Sequence, residues 1–336
     1  MKAIQDYLNG RPGFSGAVLV SREGKIEYQE AFGWADKENG VKNDTQTKYC
    51  VGSMLGKPFT AVCIMQLMEK GHLKLSDPIE TFFPHYTGTS ITIHHLLNHT
   101  SGIENYLFLR KKIKWDQDFT PQQIMEVVEQ EKVKFTPGKK SSYSNTNYLM
   151  LGMIIEAITG MKYEQYVREH VLEPAGMMNT GFIRDGLDGV ATNYINHKRG
   201  FHLSPTLLFA CGEVVSTVED ALRFDRAFKQ GLLVSKETRQ LMEEPSYTGR
   251  FVTMGTGWVI KNLFERKSIC HGGSHPGGYT SHLERYIDED ITIIVLSNHL
   301  TSYSKLSIKD LGGTLINREI ASIVFEDKLQ FYQKII

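Results

Sequence analysis

Three short stretches of this chain hold residue types that do chemistry together. In the first, VGSMLGKPFTA from Val51 to Ala61, Ser53 stands one helical turn ahead of Lys57. A serine hydroxyl is a weak nucleophile at neutral pH and needs a base within hydrogen-bond reach. Lysine serves as that base only where its surroundings draw its pKa down from about 10.4. The residues that follow, Ala61 to Met65 and then Leu67 and Met68, are apolar nearly all round a helix, which puts that helix inside a domain. Gly71 ends it in the way glycine ends helices. The structural alternative is Ser53 as an N-cap and Lys57 as a surface residue of the first turn.

The second stretch is Tyr143-Ser144-Asn145 within PGKKSSYSNTNYLMLG. It follows a Pro-Gly turn and precedes a helix, so the two side chains, two residues apart, can reach a cleft near a helix start. A buried tyrosine with a satisfied hydroxyl is the commoner meaning of such a triplet. The third, His271-Gly272-Gly273-Ser274-His275-Pro276-Gly277, ends a strand in a glycine-rich turn. Glycines there let backbone approach a ligand and present N–H groups to it. A structural histidine at a strand end is the alternative for His271.

The elements that would position these stretches follow from pattern and punctuation. Phe14 to Ser21 and Lys25 to Phe32 read as strands joined by the short loop Arg22-Glu23-Gly24. A polar loop, Asp36 to Lys48, leads to the Ser53 stretch. Thr120-Pro121-Gln122-Gln123 and Ser216-Thr217-Val218-Glu219 read as capping boxes. Asn147 to Thr159 and Tyr163 to Val171 carry helical spacing. Strands return over Thr256 to Lys261, Lys267 to His271, Tyr279 to Tyr286 and Ile291 to Ser297, and an amphipathic helix closes the chain over roughly Ile308 to Val324. Strands at both ends with helices between predict an α+β fold, an antiparallel sheet built from both termini. The expected division is a sheet lobe of residues 1–58 and 213–336 and a helical lobe of 59–212, with a site at the seam.

Composition narrows the partners. Lysine plus arginine equals aspartate plus glutamate, 38 each, so no overall field favours nucleic acid or an anionic membrane. No apolar run approaches the roughly 20 residues of a membrane span, and MKAIQDYLNG lacks a signal-peptide core. The expectation is a cytoplasmic chain, or an extracytoplasmic one if an export signal once preceded it. Cys50, Cys63, Cys211 and Cys270 are scattered without a CxxC and read as reduced core thiols. His95 and His99 have the spacing of helical zinc ligands, with His94 adjacent. The glutamate of HExxH is missing and His99 opens a turn, so neither metal nor cofactor is expected.

Taken together, the stretches resemble the serine β-lactamase and penicillin-binding-protein superfamily, in its class C-like branch of carboxypeptidases, peptidases and esterases. The resemblance runs almost the whole chain. It extends to GHLKLSDPIETFFP from Gly71, HHLLNHTSGI from His94, EPAGMMNTGF from Glu173 and GEVVSTVEDALRF from Gly212. It implies that Ser53 is acylated by a small-molecule or peptide substrate, a D-amino-acid peptide, β-lactam or small ester, and that Lys57 and Tyr143 move protons. Asn145 would bind the substrate carbonyl, and the N–H groups of Ser53 and Ser274 would form the oxyanion hole. His271, Gly273 and Ser274 would line the opposite wall.

Two departures bear on activity. The family spacing is serine, two residues, lysine, whereas Met54, Leu55 and Gly56 intervene here. Aligned through KPFTA, Met54 takes the nucleophile's place. Pro58 is comfortable only near a helix's first turn, which predicts a helix start near Met54. A serine one residue off is displaced by about 1.5 Å and about 100°, and about 1 Å of misplacement can cost on the order of a hundredfold in rate. Either the first turn bulges at Gly56 or the chain is a non-catalytic binding relative. His271 stands where many penicillin-recognising relatives have lysine; an ordinary histidine, with a pKa of about 6.5, is mostly neutral at pH 7 and holds a substrate carboxylate less firmly, so lactam hydrolysis is not the default.

Overall fold

The computed structural model describes residues 2–11, 13–263, 265–300 and 315–326. In chain order, α1 (Lys2–Asn9) leads into β1 (Gly16–Arg22) and β2 (Lys25–Phe32). Arg22 pairs with Lys25, so the hairpin loop is two residues rather than three. Glu23 and Gly24 have φ of 49° and 72°, as a type I′ turn requires at both centres. β3 (Tyr49–Cys50) precedes α2 (Ser53–Glu69), and the middle of the chain carries α3 (Pro121–Val128) and α4 (Asn145–Thr159). β4 (Gly181–Phe182) and β5 (Val214–Ser216) come next, then α5 (Val218–Lys229). The last strands are β6 (Tyr247–Thr248), β7 (Thr253–Met254), β8 (Val259–Leu263), β9 (Arg266–His275), β10 (Tyr279–Tyr286) and β11 (Ile291–Ser297), followed by α6 (Leu315–Val324).

Eight of these strands form one antiparallel sheet in the order β6-β7-β8-β9-β10-β11-β1-β2. The two ends of the chain meet towards one side of it, where β11 pairs with β1 next to the edge strand β2, with Gly16 opposite Ser297 and Arg22 opposite Ile291. Alternation along β1 explains why GAVLV is apolar without a break. Ala17 and Leu19 join a core with α2, while Val18 and Val20 join another with Ile4, Leu8, Ile316 and Ile320. Both faces of the sheet are covered by helices, giving three layers.

Local chemistry sets the boundaries. Thr120 and Gln123 make the expected capping box on α3. At α5 the cap is Thr217, which accepts from the Asp220 amide, and not Ser216, whose hydroxyl pairs with Thr180 from the end of β5. α4 begins at Asn145, two residues earlier than its apolar spacing predicts. The helix expected over Tyr163–Val171 widens into a π turn at Arg168–Leu172. α2 ends in a Schellman motif, with Gly71 at φ 75° and the His72 amide donating to Leu67 O at 3.0 Å. Of the expected closing helix, residues 308–314 lie outside the described residues. The four cysteines are buried and unpaired by disulfides.

Candidate active site

The start of α2 is held from three sides. The Val51 amide donates to Val214 O at 2.9 Å, the Ser281 hydroxyl donates to Val51 O at 2.6 Å, and Gly52 turns the chain at φ 54°. The helix then begins at Ser53, one residue ahead of the start that Pro58 predicts, and Gly52 rather than Ser53 is its N-cap. The turn does not bulge. The Gly56 amide donates to Gly52 O at 3.1 Å in the regular α pattern, and Met54 is buried in the core. Gly56 serves packing instead, since a Cβ there would lie 2.7 Å from the Gly212 backbone.

A regular helix nevertheless brings the pair together, because residues four apart share a face. Lys57 Nζ donates to Ser53 Oγ at 3.0 Å, to Asn145 Oδ1 at 2.6 Å and to Cys211 O at 3.2 Å. Lys57 is wholly buried, whereas Ser53 keeps partial exposure. Among the described residues the Ser53 amide has no acceptor, as befits the first turn of a helix. Asn145, at the start of α4, therefore turns its carbonyl oxygen to the lysine.

Tyr143 presents its ring to the same ammonium, whose Nζ lies 4.6 Å from the ring centroid, and Tyr148 flanks it at 5.2 Å. The Tyr143 hydroxyl makes no hydrogen bond to Ser53 or Lys57. Behind it stands His99, buried at φ 59°, with its ring centroid 4.4 Å from that of Tyr143. The Ser144 amide donates to His99 Nδ1 at 3.2 Å, which ties this imidazole to the tyrosine segment.

His271 approaches from β9, its ring 6.5 Å from Tyr143. It is buried, and Nδ1 lies 2.8 Å from Gly272 O, so that nitrogen carries the proton. Burial, aided by the Lys57 charge, pushes its pKa down to about 3. At neutral pH His271 is therefore held uncharged. β8 pairs with β9 only as far as Cys270, leaving one edge of His271–His275 without a β8 partner. Gly273 sits against the start of α2, where a Cβ would come within 2.2 Å of Val51 O and 2.4 Å of Ser281 Oγ. Ser274 is exposed beside it. Gly273→Ala is expected to destabilise the fold by about 1–3 kcal/mol through overpacking, read as a lowered urea midpoint.

A second expectation follows from burial. His275 is also held low, to about 4, by desolvation. The unfolded chain, titrating near 6.5, binds more protons than the folded one below that pH. This part of the stability is complete above pH 6.5 and is lost as pH falls towards 4 and 3. Urea midpoints should drop over that window, and His271→Asn should flatten the slope.

The zinc spacing does not gather a site. His95 Nδ1 accepts from the Thr92 amide at 3.1 Å within its own helix, and His99 packs on Tyr143. Among the described residues, Cys270, His282 and Glu284 form the one group of three ligating side chains. Lys261 already bonds Cys270 and faces Glu284, so a cation occupies that ground. Sequence reasoning missed the Cys211 carbonyl and Gly212, since a backbone acceptor and a close approach leave no side-chain signature. His99 was visible in HHLLNHTSGI but not as a neighbour of Tyr143.

The sheet topology, with α2 crossing it at this site, is the β-lactamase/transpeptidase-like fold. Residues 2–310 match the β-lactamase family, and the chain belongs to that family of serine hydrolases. It is 31% identical to PbpX of Bacillus subtilis (strain 168) over 94% of this chain and 78% of that one. It is 31% identical to penicillin-binding protein 4* of the same strain over 89% and 71%. The octameric penicillin-binding protein homologue from Pyrococcus abyssi superimposes with a TM-score of 0.82 at 27% identity, over 97% of this chain and 77% of that one. The D-amino acid amidase of Ochrobactrum anthropi SV3, in its complex with D-phenylalanine, shares the fold at a TM-score of 0.81 and 22% identity, over 96% and 98%. No described helix is long and apolar enough to cross a membrane.

Proposed function

We propose that the chain hydrolyses a D-amino-acid peptide, β-lactam or small ester through an acyl-enzyme on Ser53, at the seam between a sheet lobe (1–58, 213–336) and a helical lobe (59–212). The 3.0 Å contact between Ser53 Oγ and Lys57 Nζ carries the reading. The step requires Lys57 in its amine form, in which Nζ accepts rather than donates the hydrogen bond with Ser53: Ser53 Oγ attacks the substrate carbonyl carbon, and its proton passes to that amine. The tetrahedral oxyanion is met by the Ser53 amide, free of any described acceptor, and by that of Ser274. Its collapse breaks the bond to the leaving amine or alkoxide, which takes a proton from Lys57 by way of Tyr143. Water then repeats the sequence on the acyl-serine. Asn145, holding Lys57 through Oδ1, directs its amide towards substrate; His271 and Gly273 border it.

The second reading, a non-catalytic binding relative, draws on the Tyr143 hydroxyl, which bonds neither partner. The test is covalent: one fluorophosphonate adduct located on Ser53 by intact and peptide mass spectrometry supports hydrolysis, and its absence at any pH supports the binding reading.

A further inference from the structure

His271, Gly273 and His275 occupy alternate positions of β9 and so share the face towards α2. His271 meets Tyr143, Gly273 meets the Ser53 turn, and His275 lines a cavity of about 280 Å³ at the other end. At about 3.3 Å per residue the row is roughly 13 Å long, with Ser53 near its middle. An extended substrate along this edge would place one substituent on each side of the serine.

The cavity lies between the segment 183–205 and the β9–β10 turn. Leu187, Val190, Phe201, Leu203, Pro205 and Val215 give it apolar walls, and no Asp, Glu, Lys or Arg lines it. Cys50 belongs to it, and this residue bonds the backbone of Gly52, next to Ser53. Its polar groups are mostly spent within the protein. The Tyr279 hydroxyl donates to Ala191 O at 2.6 Å, and Asn193 Nδ2 donates to Phe201 O at 3.3 Å. His275 Nδ1 accepts the Gly277 amide at 3.0 Å, so the neutral ring carries its proton on Nε2 and keeps one donor to offer. Desolvation keeps that ring neutral, with exposed His202 as its titratable neighbour.

We infer that this cavity is the subsite for an uncharged apolar substituent of the substrate, of aryl size, bearing a hydrogen-bond acceptor that meets Nε2–H of His275. The inference rests on Ser53 being the acylated residue. A charge would be buried there without a partner, and an apolar cavity of about 150 Å³ already accepts benzene.

Three p-nitrophenyl esters test it: acetate, 4-phenylbutanoate and 4-oxo-4-phenylbutanoate. Both aryl esters should exceed acetate in kcat/KM by about 10- to 100-fold, and the ketone should exceed its hydrocarbon partner by about 3- to 10-fold. Leu187→Trp, which fills a half-buried wall, should collapse the first ratio, and His275→Leu the second. Equal turnover of all three esters, or an aryl-to-acetate ratio unchanged by Leu187→Trp in a variant with native circular dichroism, overturns the subsite. If no ester turns over above the Ser53→Ala background, the acylation reading has failed. The subsite is then judged by calorimetry with 4-oxo-4-phenylbutanamide: binding lost in Leu187→Trp upholds it, and no binding overturns it.

Discussion

A single fluorophosphonate adduct on Ser53 is expected, with Ser53→Ala removing it altogether and Lys57→Ala slowing its formation by about a hundred- to ten-thousandfold. The size follows from the contact: with the Nζ to Oγ distance at 3.0 Å, removing the amine leaves the hydroxyl with no described base. Deleting Leu55, which restores the family spacing as Ser-Met-Gly-Lys, separates the two ways of reaching Lys57. Val51 is pinned through both its amide and its carbonyl, and Gly56 abuts Gly212. The shortened turn has to pull against those anchors, so labelling should fall. A gain of labelling on deletion would show that Ser53 is displaced and that Met54 holds the nucleophile's place.

The largest loss of stability is expected from Arg285→Ala. Arg285 on β10 is buried and reaches Asp225 of α5, with Nη1 3.3 Å from Oδ1, and Glu243 through Nη2. The Asp225 contact is an ion pair without hydrogen-bond alignment, as both atoms lack a hydrogen-bond partner. Thr292 Oγ1 donates to the other oxygen of Asp225 at 2.7 Å. Truncation leaves two carboxylates without their cation in or near the interior, a loss of about 3–5 kcal/mol. Urea unfolding should show it, and Asp225→Asn with Glu243→Gln in the same background should restore much of it. A loss below about 1 kcal/mol would mean that water already serves these carboxylates.

The sheet was legible because its strands announce themselves. ITIIVLS is a largely apolar run and YTSHLERY a mixed one that begins and ends on tyrosine, both between turn residues, and their bounds match those read from pattern. The α5 cap was misplaced by one residue because Ser216 with Glu219 and Thr217 with Asp220 offer a hydroxyl and an acid at the same spacing in two registers, and only the Ser216 contact to Thr180 decides. At the candidate site, residue types and neighbourhoods were readable: Ser53, Lys57, Tyr143, Asn145 and His271 come into one region. Orientation was not. Whether Tyr143 offers its ring or its hydroxyl depends on His99 packing from 44 to 48 residues upstream of its partners. Whether Gly56 bulges or packs depends on Gly212, which no local pattern reveals.

The edge of β9 from His271 to His275 has a meaning for how this chain ages in solution. A strand lacking a neighbour is a template for another chain. Here the template is five residues, with Gly272 and Gly273 at its middle and Pro276 just beyond it, and the start of α2 lies on the face of the strand rather than along its edge. The shortness of this edge, its two glycines and Pro276 limit foreign β pairing there. Loosening that helix exposes the face of this strand along with the apolar residues 59–68, so colloidal failure should track the unseating of α2 and precede melting of the strands around it.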